Sequence, residues 1–192
     1  RADGANGLMP GVFFITFYIF AMETNEPVYH ILVTTSGFFL IFNVISGRLF
    51  LGDAGTYGLG AAVVLSGLMF YNNGTFSALF MAVLLAYPCL ELVATILRRI
   101  LSGRSVVLPD NFHFHNRLHF HFAKRFRSVT AANSATGLVI AAMSAGLAFA
   151  GYLLGLDPTV NEPWLNIFVF QSAVYITGLG WAGFANRKFS TN

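Results

Sequence analysis

Four of the chain's five histidines fall in one short stretch, "PDNFHFHNRLHFH" from Pro109 to His121, where His113, His115, His119 and His121 alternate with aromatic residues around Arg117. Residues of these types at this spacing suit three kinds of chemistry. Imidazoles can ligate zinc or iron, and His115 and His119 would face the same way if the stretch were helical. Protonated imidazole beside an arginine fork can grip phosphate oxygens. Basic residues interleaved with aromatic ones can also lie on nucleic acid. A fourth reading is that the histidines simply cover a surface. The chain's remaining histidine, His30, lies far away, so the second cluster that a di-iron oxygenase needs is absent. No other feature supports nucleic acid as a partner.

Acidic residues supply the other candidates. In "GRLFLGDAGTYGLG", Asp53 stands between Gly52 and Gly55 just ahead of an apolar run. A hard cation such as magnesium, or manganese in its place, takes carboxylate oxygen, keeps several waters and bridges to substrate phosphates. Capping of the following helix is the competing role. "DGANGL" sets Asp3 and Asn6 among Gly4 and Gly7, a pattern that serves either close approach to a ligand or a plain turn into a helix. Glu91, in "YPCLELVATILRR", lies two helical turns before Arg98 within an apolar run. An acid there faces a bundle interior or an aqueous cavity, where it works at a site or pairs structurally. Pro88 just before it is expected to kink the helix.

The elements that must carry these residues are membrane spans. Of 192 residues, 56% are hydrophobic and only 10% charged, less than half the charged share of an ordinary soluble domain. Six continuous apolar segments run roughly over 8–22, 28–45, 57–71, 76–97, 130–156 and 164–184, and unbroken apolar runs favour helices over barrel strands. All eleven Lys and Arg fall at the N-terminus or after the second, fourth and sixth segments, while Glu23, Glu26, Asp157 and Glu162 occupy the other side. The positive-inside rule then places both termini, and the candidate site loops, in the cytoplasm. The fold expected is an all-α, polytopic transmembrane bundle of about six spans, embedded in membrane lipid. The basic loop faces anionic lipid or an anionic substrate. Gly151 and Gly155 form a GxxxG spacing that serves packing inside the bundle or a homodimer seam. The single Cys89 excludes an intrachain disulfide.

Taken in order, "DGANGL", "GDAGT", "YPCLELVATILRR" and "PDNFHFHN" resemble the polyprenyl-phosphate N-acetylhexosamine-1-phosphate transferase family, over nearly the whole chain. The family's DGxDGL element is similar to "DGANGL", with Asn6 where many members have aspartate; its GDxGS element is similar to "GDAGT", with Thr56 for serine. Its PDxxHxHH element is similar to "PDNFHFHN", matching His113 and His115, with Asn116 in place of a third histidine and Arg117 following. The interrupted histidines resemble the surface-polysaccharide branch more than the peptidoglycan branch. The resemblance implies transfer of a sugar 1-phosphate from a UDP-N-acetylhexosamine to undecaprenyl phosphate, with release of UMP, at the cytoplasmic face of a bacterial inner membrane. Asp53 is implied as the magnesium ligand and Asp3 as acting at the lipid phosphate or supporting the metal. Asn6 is implied at the nucleotide, and His113, His115 and Arg117 at the donor diphosphate. The family's aspartate-pair loop lies upstream of DGxDGL and has no counterpart here, so residues 1–192 are expected to be the C-terminal part of one integral-membrane transferase domain, inactive alone. A non-enzymatic transporter or binding module for an anionic lipid or sugar is the alternative; it explains the spans but not the ordered motifs.

Overall fold

The computed structural model of the chain describes residues 4–103 and 113–189, with side chains as far as Ala182. Helix α1 (Leu8–Thr24) is followed by α2 (Pro27–Ser46), α3 (Gly52–Asn72), α4 (Ala78–Leu84), α5 (Ala86–Leu101) and the short α6 (Phe114–Ala123). Then come α7 (Val129–Ala141), a π-helical turn (Ala142–Gly146), α8 (Leu147–Leu153) and α9 (Asn161–Phe189). No strand occurs among the described residues. The molecule is an all-helical bundle with the character of a polytopic membrane protein.

All six apolar segments fall on helices. Four stretches among the described residues are long and apolar enough to cross a membrane: Pro27–Ser46, Gly52–Asn72, Val129–Leu153 and Asn161–Ala182. The fourth segment is split into α4 and α5, bent by 81°, and counts as a fifth only if the pair is one span. Helix α1, with 17 residues, is shorter than the others. It is apolar on every side because it is buried on nearly every side, among α2, α7, the π turn and α3.

Pro88 bends the fourth segment, as expected: its missing N–H and its ring fall against the carbonyl of Leu84, four residues earlier, where α4 ends. The chain breaks at Leu85, and Pro88 sits in the first turn of α5, where a helix has no use for its missing N–H. Polar side chains from elsewhere satisfy the backbone at the break. The Tyr87 amide donates to Ser144 Oγ (3.0 Å), and Gln171 Nε2 is shared among the carbonyls of Val83 (3.2 Å), Met143 (3.2 Å) and Ser144 (3.0 Å). One amide on α9 thus ties the α4–α5 break to the π turn opposite it.

The two ends of the bundle differ in chemistry. At one end Phe20, Tyr29, Phe70, Phe76, Phe80 and Trp164 form a run of ring contacts, with Phe20–Phe70 centroids at 4.9 Å and Phe80–Trp164 at 4.7 Å. Tyr152 donates to Glu23 (2.6 Å) at this end, and the Ser77 amide to the Pro158 carbonyl (2.7 Å). The other end gathers the start of α1, the ends of α2 and α5, α6 and the start of α7. Arg48, Arg98, Arg99, Arg117, Lys124, Arg125 and Arg127 all belong to it.

Candidate functional site

The histidine stretch forms α6 from Phe114 onward, with His113 extended at its N-cap. The His113 side chain does not cap the helix. It turns to Glu91 on α5, with Nδ1 3.0 Å from Oε1. The other carboxylate oxygen of Glu91 accepts the Phe114 amide (3.1 Å) and the Tyr175 hydroxyl of α9 (3.0 Å), and Thr95 donates to Oε1 (3.4 Å). Glu91 therefore performs the cap itself, placing negative charge at the N-terminus of α6, where the helix amides and dipole favour it. Only 6% exposed, it would be costly without these donors. Phe114 reaches α9 because residue 178 is glycine: a Cβ there would lie 3.1 Å from the Phe114 ring.

His115 lies deeper, at 2% exposure, its ring stacked on that of His113 with centroids 5.5 Å apart and planes 6° from parallel. Its Nδ1 shares a 2.9 Å hydrogen bond with the Tyr87 hydroxyl. When that hydroxyl donates, the proton of the neutral ring sits on Nε2, which faces Gly4. Burial, with the neighbouring His113 acting the same way against the opposing pull of Glu91, lowers the His115 pKa to about 4. The sequence reading gave His115 a positive charge for phosphate; at neutral pH its surroundings keep the ring neutral.

Gly4 brings the N-terminal turn to this histidine. A Cβ on residue 4 would stand 2.8 Å from His115 Nε2, so glycine is what allows the contact. Beyond it, Asn6 lies on α7, where a Cβ at Gly137 would be 2.0 Å from the Asn6 carbonyl oxygen. The Gly7 amide donates to Asn43 of α2, and Asn43 in turn donates to the Leu49 carbonyl, linking this turn to the segment that leads into "GDAGT". Asn6, expected at the nucleotide, is 2% exposed; its Nδ2 donates to Ser134 (3.3 Å), and its Oδ1 has no partner among the described residues. Asp3, Pro109 and Asp110 lie outside the described residues.

Asp53 is exposed in the first turn of α3. The hydrogen bonds described at Glu91, His113 and His115 include none from it. One turn further along, the buried Thr56 hydroxyl has no hydrogen-bond partner among the described residues. Two oxygen donors of this hard type, next to a helix N-terminus, fit a magnesium-type cation that takes its remaining ligands from water and phosphate. Arg117 Nη1 approaches the Leu179 carbonyl of α9 at 3.4 Å. His121 stacks on Trp181 at 4.5 Å, and Lys124 lies 4.2 Å above the Phe120 ring. Among the described residues no three His, Cys, Asp or Glu side chains are placed to hold a metal, so the histidines do not assemble the zinc or iron box that their number suggests.

Beside the cluster, an apolar cavity of about 220 Å³ opens among α5, α6, α7 and α9, lined by Tyr87, Phe114, Leu118, Val139, Tyr175 and Trp181 among others. Sequence reasoning missed Tyr87, Tyr175, Asn43 and Gly137. Tyr87 lies four residues before Glu91 on one helix face, and Asn43 is a polar residue in an apolar run; both are detectable signals. Nothing in the sequence marks Tyr175 or Gly137.

Residues 1–71 match the sequence model of glycosyl transferase family 4, a stretch that contains the N-terminal turn and Asp53 and stops short of the histidines. A Bacillus subtilis (strain 168) protein named probable undecaprenyl-phosphate N-acetylglucosaminyl 1-phosphate transferase is 31% identical over 126 residues, covering 60% of this chain and 35% of that protein. The chain thus spans about a third of the length of this curated relative. No solved structure matches the chain.

Proposed function

We propose that this chain is a member of glycosyl transferase family 4 and forms part of the catalytic face of a transferase that moves a sugar 1-phosphate from a UDP-sugar to undecaprenyl phosphate. The donor class we favour is a UDP-N-acetylhexosamine. A phosphate oxygen of the lipid attacks the sugar-linked phosphorus, the bond from that phosphorus to the UMP oxygen breaks, and UMP leaves with the electron pair. The products are a lipid diphosphosugar and UMP, the first step of a cell-surface polysaccharide or cell-wall glycolipid. The basic end of the bundle, in this reading, faces the cytoplasm from a bacterial inner membrane.

The observation that carries the reading is the meeting of two motifs far apart in sequence, with the Gly4 turn held against His115. The residue roles are part of this proposal. His113, at the N-cap of α6 with its Nδ1 against Glu91, is assigned to the donor diphosphate. Arg117 adds a guanidinium on the next turn of the same helix. Asp53, with Thr56 behind it, would hold magnesium or manganese, whose charge stabilises the phosphate oxygens as the transfer proceeds. Asp3 is assigned to the lipid phosphate or to the same cation. His115 and Asn6, both buried, secure the turn and α6 in place. The apolar cavity beside Phe114 suits the hydrocarbon portion of the acceptor.

The test uses the full-length protein in lipid with undecaprenyl phosphate and UDP-N-acetylglucosamine carrying ³²P on the sugar-linked phosphate. Label should move into the lipid fraction as UMP appears in equal amount. Label that remains on soluble UDP, or sugar that crosses sealed vesicles without UMP release, would contradict the proposal and favour a transporter.

A further inference from the structure

We propose that the turn between α6 and α7 is a docking surface for anionic phospholipid headgroups, with Arg125 and Arg127 meeting lipid phosphates and Phe120 and Phe126 set at the edge of the acyl chains. The inference rests on the membrane bundle and not on the reaction proposed above, so either can fail without the other. Helix α6 ends at Ala123, and its last turn winds on through the Arg125 and Phe126 amides, both donated to the Phe122 carbonyl (2.8 and 2.9 Å). Ser128 then caps α7 by accepting the Ala131 amide (3.3 Å). At the next residue begins Val129–Leu153, a stretch long and apolar enough to cross a membrane, and Val129 itself is 75% exposed. Arg125 and Arg127, both exposed, thus stand four and two residues before a span, at the level where headgroups lie.

Two features of this turn together select a bilayer. Phe120 and Phe126 keep 42% and 41% of their surface exposed, and Lys124 lies over the Phe120 ring, so apolar rings and cations alternate along the chain. A soluble phosphate compound uses the cations and leaves the rings in water. An interface satisfies both, with rings at the acyl boundary and charges among the headgroups. The charge selects an anionic lipid because α6, α7 and α8 supply no counter-charge: from Phe114 to Leu156 the sequence has no Asp or Glu. Of the acids on α5 and α9, which pack against α6, Glu91 is engaged by His113, Phe114 and Tyr175, and Glu162 lies in the first turn of α9, at the other end of the bundle.

The test uses the full-length protein with photoreactive p-benzoylphenylalanine in place of Phe126, in vesicles of equal parts phosphatidylglycerol and phosphatidylcholine with the same acyl chains. Lipid adducts identified by mass should favour phosphatidylglycerol at least about fivefold, the scale of one cation's attraction to an anionic surface. Arg125→Gln combined with Arg127→Gln should bring the ratio within about twofold of unity. Arg125→Lys combined with Arg127→Lys should keep it above about threefold, since a fluid headgroup layer reads charge more than the guanidinium fork. Raising the salt to about 1 M should also cut the preference at least threefold, a measurement on the labelled parent that needs no further variant to fold. A ratio within about twofold of unity in the parent at low salt, or a preference that survives either the Gln pair or the salt, overturns the proposal. Loss of the preference on adding millimolar inorganic phosphate at constant ionic strength would assign the turn to a soluble phosphate and overturn it as well.

Discussion

The aromatic end and the histidine end of this bundle are built on opposite principles. At the first, Phe20, Phe70, Phe76, Phe80 and Trp164 fill space with rings packed against one another. At the second, glycines bring backbone close enough for buried polar side chains to find one another: Gly4 on His115, Gly137 under Asn6, Asn43 between two loops, Glu91 under α6. In lipid, apolar rings gain little from leaving their solvent, so packing itself must hold the first end. Buried hydrogen bonds at the second end are directional and fix positions instead. Stability and chemistry are thus assigned to different halves, and substitutions should separate them.

The largest separation is expected at Asp53. Asp53→Asn in the full-length protein should cut kcat by about 10³-fold, the scale of several kcal/mol of lost charge stabilisation, with no change in thermal midpoint because the residue is exposed. Near-normal UMP release from the folded variant would remove Asp53 from the site. Gly137→Ala comes next, since its methyl would meet the Asn6 carbonyl at 2.0 Å, and neither backbone can yield without moving the turn. Turnover should drop by roughly 100-fold as a misplaced turn degrades alignment, while the far end stays folded. Retained turnover would mean that the turn does not position the site.

Phe20→Ala probes the other half. Removing a fully buried ring should cost on the order of 2 to 3 kcal/mol, below the usual ~3–5 for Phe because the unfolded helix remains in an apolar solvent. Below its unfolding temperature the variant should turn over within about twofold of wild type; a kcat loss comparable to that of Gly137→Ala would erase the distinction between the ends. The smallest effect concerns pH. His115 has a folded pKa of about 4, against 6.5 in the unfolded chain, so the unfolded state takes up the proton first. Its contribution is complete above about pH 6.5 and is lost as pH falls toward 4, amounting to about 1 kcal/mol between pH 7 and 5.5. His115→Phe should remove that part of the pH dependence, as measured by denaturant unfolding in detergent at the two pH values.

Much of this division could be read from sequence. Six apolar segments and the segregated Lys and Arg gave the helices and the basic end, and Glu91 stood out as an acid in an apolar run. What could not be read depended on contacts between distant helices. The sequence marks α1 as apolar, but not that α2, α3 and α7 enclose it. Pro88 reads as a kink and the helix does bend there, but the partners Ser144 and Gln171 that satisfy the backbone at the break come from distant helices. Asn6 and His115 carry motif positions in the sequence and are buried in the fold, a distinction that turns on how closely Gly4 and Gly137 let segments approach. Tyr175 gains its significance only from standing opposite Glu91.

The central claim is that adjacent motif histidines do different work: His113 meets the substrate and His115 holds the site together. The direct measurement compares His113→Ala with His115→Ala in the full-length protein, scoring ³²P transfer to undecaprenyl phosphate per folded molecule alongside the thermal midpoint. The account predicts that His113→Ala loses about 2 to 4 kcal/mol of transition-state stabilisation with its midpoint unchanged. His115→Ala should instead lower the midpoint and keep at least about a third of the turnover of the molecules that remain folded. A normal rate from His113→Ala, or equal catalytic loss in both variants with neither midpoint moved, would contradict it.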